Sequence, residues 1–188
     1  MEKNLQLTTN RLTLKELDES DAGKVLEYFQ RNADFLRKWE PIRDAEFYTL
    51  DFQAQQLRSE RQKVAEGKMF KVWMFAKEDT ACERVLGSIA LNEIVRGCFH
   101  SCFLGYRLDG SEVNKGLMTE GVQQVIDFAF NSLRLHRIEA NIIPHNKASL
   151  RVVNKLGFYH EGLAKKYLFI NGRWEDHIHM VLRNEAME

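Results

Sequence analysis

The sequence of 188 residues predicts a mixed α/β fold, and three observations support it. Short segments with alternating apolar residues, typical of strands, fill the middle of the chain. Segments with apolar residues three and four positions apart, typical of amphipathic helices, precede and separate them. Near the C-terminal end, two long strand-like stretches flank Asn171 and Gly172, a strong hairpin signal. We therefore expect a sheet that is antiparallel at its start, with at least one helix crossing between strands in the middle.

The predicted order is strand, two helices, three strands, helix, strand, helix and two strands. Leu12 and Leu14 lie on one face of the first strand, in LQLTTNRLTLKEL. The first helix, in DESDAGKVLEYFQRN, has Asp18 or Ser20 as its cap. ADFLRKWEPIRD reads as a short helix and a loop stopped by Pro41, and LDFQAQQLRSERQKVAEG as a second long helix.

Three strands follow, in MFKVWMFAK, RVLGSIALNEIVRG and SCFLGYRLD. The third has Gly105 in its interior, where glycine often marks a bulge or a close backbone approach. A helix then reaches about Leu133, RIEANIIP forms a strand, and NKASLRVVNKLG forms a short helix between Asn146 and Gly157. FYHEGLAKKYLFI and RWEDHIHMVL form the final hairpin.

Composition narrows the functional classes. Lys plus Arg and Asp plus Glu both number 27, which argues against a nucleic-acid partner, because such proteins usually carry a basic excess. The odd set of Cys82, Cys98 and Cys102 lacks CxxC spacing and indicates reduced thiols. Without a leader-like start or a membrane-spanning apolar run, we expect a cytoplasmic protein. Nothing marks a domain boundary, so residues 1–188 are expected to form a single domain, as monomer or homodimer.

The stretch NKGLMTEG, from Asn114 to Gly121, joins a predicted strand to a predicted helix. It matches neither a Walker A loop nor a dinucleotide fingerprint. Backbone N–H groups at the start of a helix nevertheless bind anions, because the helix dipole favours negative charge there. Lys115 adds charge, and Gly116 allows close approach to the main chain. The stretch predicts an anion site, although an ordinary helix start remains an alternative.

A second stretch, IIPHNKASLRVVNKLGFYHEG, places Asn146 and Ser149 between a strand and a helix. The two stretches, separated by a helix and a strand, resemble the GNAT superfamily of acetyl-CoA-dependent N-acetyltransferases. Together with FLRKWEPIRD, VRGCFHSCFLGYRL, HRIEANIIPHNKAS and LGFYHEGLAKKYLFINGRWEDH, they are similar to the bacterial ribosomal-protein-alanine N-acetyltransferases of the RimJ type. The resemblance covers nearly the whole chain.

This resemblance implies a fold and a cofactor site. A central, bulged strand at Ser101–Leu108 would splay from a parallel neighbour at Arg137–Ile143, with helices on both faces of a mostly antiparallel sheet. Acetyl-CoA would lie in the gap, its pantetheine pairing with backbone near Leu104 and Tyr106, its amides bonded by Asn146. Its pyrophosphate would meet the N–H groups of Asn114, Lys115, Gly116, Leu117, Met118 and Thr119.

The resemblance also implies direct attack of an amine on the thioester in a ternary complex. A strand N–H near Leu104 would stabilise the oxyanion, and Ser149, near the sulfur, would protonate the leaving thiolate, unless it only caps its helix. Glu40 and His100 are the candidate bases, but Glu40 could instead hold the substrate ammonium and His100 could be structural. Trp39 beside Glu40 suits a peptide end.

Some residues depart from these patterns. The superfamily loop carries Gln or Arg, Gly, and a small residue where this chain has Val113, Gly116 and Met118. The changes at Val113 and Met118 could lower the affinity for the cofactor. The RimJ-type enzymes share KGLM, however, so we expect function to be retained.

His177 and His179 share a strand face without a third ligand at metal-like spacing. We therefore expect no metal, and we expect these histidines to line a strand surface.

The predicted function is acetyl transfer from acetyl-CoA to the α-amine of an N-terminal alanine, on a small-subunit ribosomal protein. Two alternatives stay open. One is acetylation of a small amine such as a polyamine, an amino acid or an antibiotic. The other is a CoA-binding, ribosome-associated module without turnover.

Overall fold

The computed structural model describes residues 5–188, and its strands join in one eight-stranded sheet. The strands are β1 (Gln6–Thr8), β2 (Leu12–Lys15), β3 (Phe70–Ala76), β4 (Gly87–Val95), β5 (Ser101–Leu108), β6 (Arg137–Ile142), β7 (Tyr159–Ile170) and β8 (Arg173–Arg183). The α-helices are α1 (Ala22–Leu36), α2 (Leu50–Ala65), α3 (Leu117–Asn131) and α4 (Lys147–Lys155). The spatial order is β1-β2-β3-β4-β5-β6-β8-β7, and only β5 and β6 pair in parallel. The predicted mixed sheet with one parallel pair is confirmed.

The predicted first strand is two strands, because a turn at Thr9 folds β1 back on β2. The Thr9 amide donates to the Leu12 carbonyl, and the Thr9 hydroxyl accepts from the Leu12 amide, both at 2.9 Å. Threonine side chains often close turns in this way. Leu12 and Leu14 are both buried on one face, as predicted.

The sheet is buried on both faces at its centre, as β3 shows. Val72 and Met74 pack in a core with α3 and α4, whereas Trp73 and Phe75 pack in a second core with α1 and α2. Successive side chains of a strand point to opposite faces, so a strand covered on both sides is apolar throughout. The predicted placement of helices on both faces is confirmed.

The bulge next to the central strand lies in β4 and not at Gly105. Gly105 pairs regularly with Ala90, and the register shift falls between Asn92 and Val95. Glu93 lies within this bulge and has a φ of 47°, a conformation that is uncommon outside glycine. The prediction of a bulge in the central strand is therefore wrong, because a glutamate in this conformation leaves no signature in the sequence.

Strands β5 and β6 pair over three residues only, Ser101–Phe103 with Arg137–Glu139. At this closed end the His100 carbonyl accepts the amides of His136 at 2.7 Å and Arg137 at 3.1 Å. Beyond it the two strands diverge, and a cleft opens between them. The predicted splayed pair is thus present.

The turn between β5 and α3 is fixed by Asp109, whose side chain is 3% exposed. Its carboxylate accepts the Arg31 guanidinium at 2.8 Å and the Ser111 amide at 2.9 Å. Asn32, also on α1, accepts the Gly110 amide at 2.9 Å. Helix α1 therefore positions the chain that leads into α3.

We expect Gly87→Ala to lower the free energy of unfolding by about 1–3 kcal/mol, since it forces overpacking. A Cβ at Gly87 would lie 2.3 Å from the Arg107 carbonyl oxygen, which belongs to the backbone of β5. Urea unfolding would measure the change. Gly23→Ala is the matched control: it lies on α1 with open space around it, and should stabilise by up to about 1 kcal/mol. Equal stability of Gly87→Ala and wild type would contradict this close approach.

The ion pairs of Asp109 predict a pH-dependent contribution to stability. Burial alone would raise the pKa of Asp109, but hydrogen bonds from Ser111 and Arg31 lower it from 3.8 to about 2. Because the folded pKa is the lower one, the ionised carboxylate stabilises the fold above about pH 4, and this is lost as the pH falls towards 2.

Asp109→Asn should therefore unfold at lower urea concentration than wild type at pH 7, and the gap should narrow as the pH falls from 4 to 3. Asp127→Asn, on the exposed face of α3, is the control and should show a small difference at every pH. A gap for Asp109→Asn that stays constant with pH would disprove the assignment.

Candidate active site

The cleft between β5 and β6 has a volume of about 390 Å³. Its walls come from the two diverging strands, the end of α1 and the loop after it, the turn before α3, and α4. The predicted site residues that line it are Trp39, Glu40, Leu104, Tyr106, Asn114, Gly116, Met118, Thr119, Asn146 and Ser149. Most of the predicted site, drawn from four separate stretches of sequence, is brought together here.

Three predicted site residues do not line the cleft. The Lys115 ammonium is paired with Glu112 at 2.9 Å, and the Leu117 side chain is buried in the core. His100 lies at the closed end of the strand pair, where its ring nitrogen Nδ1 is 3.3 Å from the Arg134 carbonyl. Its backbone carbonyl holds the two strands together, which is a structural task.

The N-terminus of α3 points free N–H groups at one end of the cleft. Gly116 precedes the helix with a φ of 79°, and no side chain caps it. The first hydrogen bond of the helix runs from the Glu120 amide to the Gly116 carbonyl. Within residues 5–188, the amides of the first turn, Leu117 to Thr119, are therefore without a protein acceptor. This arrangement suits a phosphate group.

Basic side chains at the start of α3 and in the cleft were missed by the sequence analysis. Arg11, in the β1–β2 turn, donates to the Lys115 carbonyl at 2.9 Å and pairs with Glu120 at 2.7 Å. Arg151 and Lys155 of α4 line the cleft itself. No local motif relates the N-terminal hairpin to α3, so only the tertiary fold could show the role of Arg11.

On the α4 side, two hydroxyl groups meet inside the cleft. The Tyr106 hydroxyl lies 2.7 Å from Ser149 Oγ and 3.1 Å from the Ser149 carbonyl. Asn146 caps α4 by accepting the Ser149 amide at 3.1 Å. Burial raises the pKa of Tyr106 to about 12, against the lowering effect of Ser149. The Tyr106 hydroxyl therefore stays protonated and can donate to Ser149.

On the opposite side, towards α1, the cleft is closed by an ion pair. Arg107 Nε is bonded to Glu40 Oε1, and Glu40 Oε2 lies 3.4 Å from Arg43. The Arg107 guanidinium stands 5.8 Å from the centre of the Phe29 ring on α1. Both oxygens of Glu40 already face arginines. A proton added to Glu40 would leave the partly buried Arg107 guanidinium without its counter-ion.

The prediction that His177 lines a strand surface is wrong. Its side chain is buried, with the residue 3% exposed, and it lines the cleft. The sequence pattern could not show this, because the end of α1 and the loop after it, which line the cleft together with His177, are distant from it in the sequence. His179 is bonded through Nδ1 to Glu139 at 2.9 Å. Among the described residues, no group of three or more His, Cys, Asp or Glu could hold a metal ion.

Comparison with known proteins places the chain in a family. The family profile described as "Acetyltransferase (GNAT) domain" matches residues 11–159. The chain is 36% identical over 175 residues to the [Ribosomal protein uS5]-alanine N-acetyltransferase of Escherichia coli, covering 93% of this chain and 88% of that protein.

None of the helices in the described part of the chain is long and apolar enough to span a membrane.

Solved structures agree with this relationship. The ribosomal-protein-S5-alanine acetyltransferase from Vibrio fischeri superposes with a TM-score of 0.91 at 34% identity, covering 98% of this chain and 100% of that one. The Mycobacterium smegmatis RimJ in complex with CoA-disulfide has the same fold, with a TM-score of 0.86 at 24% identity over 94% of this chain and 83% of that one. The sheet with its splayed parallel pair, the uncapped helix and these matches together show that the chain belongs to the GNAT family of acetyltransferases.

Proposed function

We propose that this acetyltransferase moves the acetyl group of acetyl-CoA to the α-amine of a protein N-terminus, with an N-terminal alanine of a ribosomal protein as its acceptor. The observation that carries the proposal is the cleft between β5 and β6, which reaches from the free N–H groups of α3 to Trp39 and Glu40. It joins an anion site to an aromatic and acidic wall. Such an acceptor would place the enzyme in the cytoplasm.

The residues of the cleft fit acetyl-CoA. The N–H groups at the start of α3 would hold the phosphates, and Arg151 and Lys155, which line the same cleft, offer further positive charge. Past Phe103 the backbone of β5 is no longer paired with β6, so pantetheine amides can bond to it as an added strand would. The amide of Asn146 lines the same stretch. Val113 and Met118 also line the cleft, so their departure from the superfamily loop does not close it.

The hydroxyl pair supplies the acid for the leaving group. When the amine has attacked the carbonyl carbon and the C–S bond breaks, Ser149 Oγ gives its proton to the thiolate. Tyr106 donates to the same oxygen, which offsets the charge that builds on it. A backbone N–H near Leu104 would stabilise the oxyanion.

The acceptor proposal rests on two lines of support. Relatives that are 34–36% identical over most of their length are named as alanine N-acetyltransferases for a ribosomal protein. The Trp39 indole lines the cleft beside Glu40, and its outer side contacts the His145 ring at a distance of 5.6 Å between ring centres. A peptide end can pack on the Trp39 indole, with its ammonium near the Glu40 carboxylate, whose charge is shared with Arg107 and Arg43.

Peptide acetylation tests the acceptor directly. Short peptides that start with Ala, Ser or Met are incubated with the protein and acetyl-CoA, with spermidine as the small-amine control, and analysed by mass spectrometry. We expect one acetyl group on the α-amine of the Ala peptide. Acetylation of spermidine alone would replace the acceptor proposal with the small-amine alternative, and binding of acetyl-CoA without acetylation of a peptide or of a folded ribosomal acceptor would favour a module without turnover.

Two substitutions test the hydroxyl pair. Ser149→Ala should lower kcat by about 10²-fold or more, because the thiolate loses its acid. Tyr106→Phe should lower kcat by about tenfold, since it removes one hydrogen bond to Ser149 worth about 1.5 kcal/mol. Initial rates on the Ala peptide, with acetyl-CoA affinity measured separately, give both values.

Tyr159→Phe is the control for the tyrosine substitution. Its hydroxyl bonds to Glu161 at 3.3 Å on the exposed side of β7, so its rate should equal that of wild type. An unchanged kcat in Ser149→Ala would remove Ser149 from the mechanism.

A further inference from the structure

His177 is a buried polar residue that the mechanism so far leaves without a task. It belongs to β8, where it alternates with Ile178 and Met180, which pack on the α3 and α4 core. Its own side chain therefore points to the opposite face. There it lines the cleft together with Asn141, the β6 residue that alternates with the apolar Ala140 and Ile142.

The hydrogen bond of Nδ1 determines which nitrogen of the His177 ring carries a hydrogen. His177 Nδ1 lies 3.1 Å from the Glu175 carbonyl oxygen. A carbonyl only accepts, so Nδ1 carries the hydrogen and Nε2 presents a lone pair. No described residue within 5–188 forms a hydrogen bond with Nε2. In the neutral ring Nε2 is therefore the basic nitrogen, and the residue lines the cleft.

Burial favours the neutral form of the His177 ring. Burial lowers the pKa of His177 below 6.5, and the neighbouring His179 acts in the same direction. The Glu175 carbonyl and the Glu175 and Asp176 carboxylates raise the pKa of His177 and so oppose this lowering. From the other elements, Tyr167 of β7 stands 5.6 Å from the ring, and Glu40 lines the same cleft while being held by two arginines.

Different polar groups of the cleft lie on the two faces of the sheet. Tyr106 and Ser149 meet on the α4 face, whereas Arg107, next to α1, and His177 lie on the other. Both sets border the gap between β5 and β6. A thioester lying in that gap would have a proton donor on one side and an unprotonated imidazole on the side from which an amine can approach.

We propose that His177 is the general base of this enzyme, an inference that rests on the proposed function. Nε2 takes one proton from the acceptor α-ammonium, and the freed lone pair forms the N–C bond to the acetyl carbon. The C–S bond breaks, and the thiolate takes the Ser149 proton. A second proton leaves the nitrogen for water as the amide forms, and Ser149 regains a proton from water. His177 then releases its proton to solvent, so one proton is released overall.

The test is the pH profile of kcat/KM for His177→Asn on the Ala peptide. Asparagine can keep a donor near the position of Nδ1 and so retain the bond to Glu175, but it has no basic nitrogen. At pH 6.5 we expect a loss of about 10²-fold or more. The loss should shrink towards pH 9, since α-amines with a pKa of about 7.7–8.0 are then already neutral. Affinity for acetyl-CoA should be unchanged.

His179→Gln is the matched control, because His179 lies on the same strand and face but bonds to Glu139. It should keep the wild-type pH profile. His177→Gln serves as a second variant if His177→Asn does not reach the wild-type urea midpoint. The same fold loss at every pH, or no loss, would overturn the base assignment while leaving the proposed function standing.

Failure of the proposed function looks different. If wild type acetylates spermidine but no peptide, the acceptor assignment fails, and the same profiles measured on spermidine decide the role of His177. If wild type acetylates neither amine, both proposals are overturned.

Discussion

The structure depends on the way β5 and β6 are joined at one end and separated at the other. The His100 carbonyl accepts two amides from the start of β6, and three residue pairs later the ladder ends. A strand interrupted in the middle of a sheet leaves backbone donors and acceptors without their ladder. Here these groups face a cleft instead of a neighbouring strand. The same geometry that weakens the sheet therefore creates its binding site, and α1 and α4 are positioned to line it.

The cleft passes between the two faces of the sheet, so the acid and the base that we propose lie on different sides of it. Side chains of successive strand residues point in opposite directions, so neighbours such as Tyr106 and Arg107 serve different sides. Tyr106 reaches Ser149 at the start of α4, and Arg107 reaches Glu40 after α1. An acetyl group between them can lose its thiolate towards one side while accepting an amine from the other. His177, the base that we propose, borders the cleft from β8.

Much of the fold and site could be predicted because the signals were local or carried by family resemblance. The turn at Gly116 and the cap at Asn146 require particular residues at particular positions, and both occur where the sequence indicated. The ion pair of Arg107 with Glu40 joins residues that are 67 positions apart, and no pattern relates them. The bulge at Glu93 was missed for a different reason: an ordinary residue adopts an uncommon backbone conformation there.

The mixed sheet, the succession of most helices and strands, and the helix start that suits an anion could be inferred from the amino-acid sequence. These features follow from periodicity, caps and turns, which act over a few residues, whereas the family was inferred from resemblance to its known members. Which polar groups meet in the cleft depends on the tertiary structure. His100 was a candidate base and His177 was expected on a strand surface, yet His100 lies at the closed end of the strand pair and His177 borders its open end. The environment of a side chain depends on what packs against it from distant parts of the chain, and a one-dimensional pattern does not contain that information.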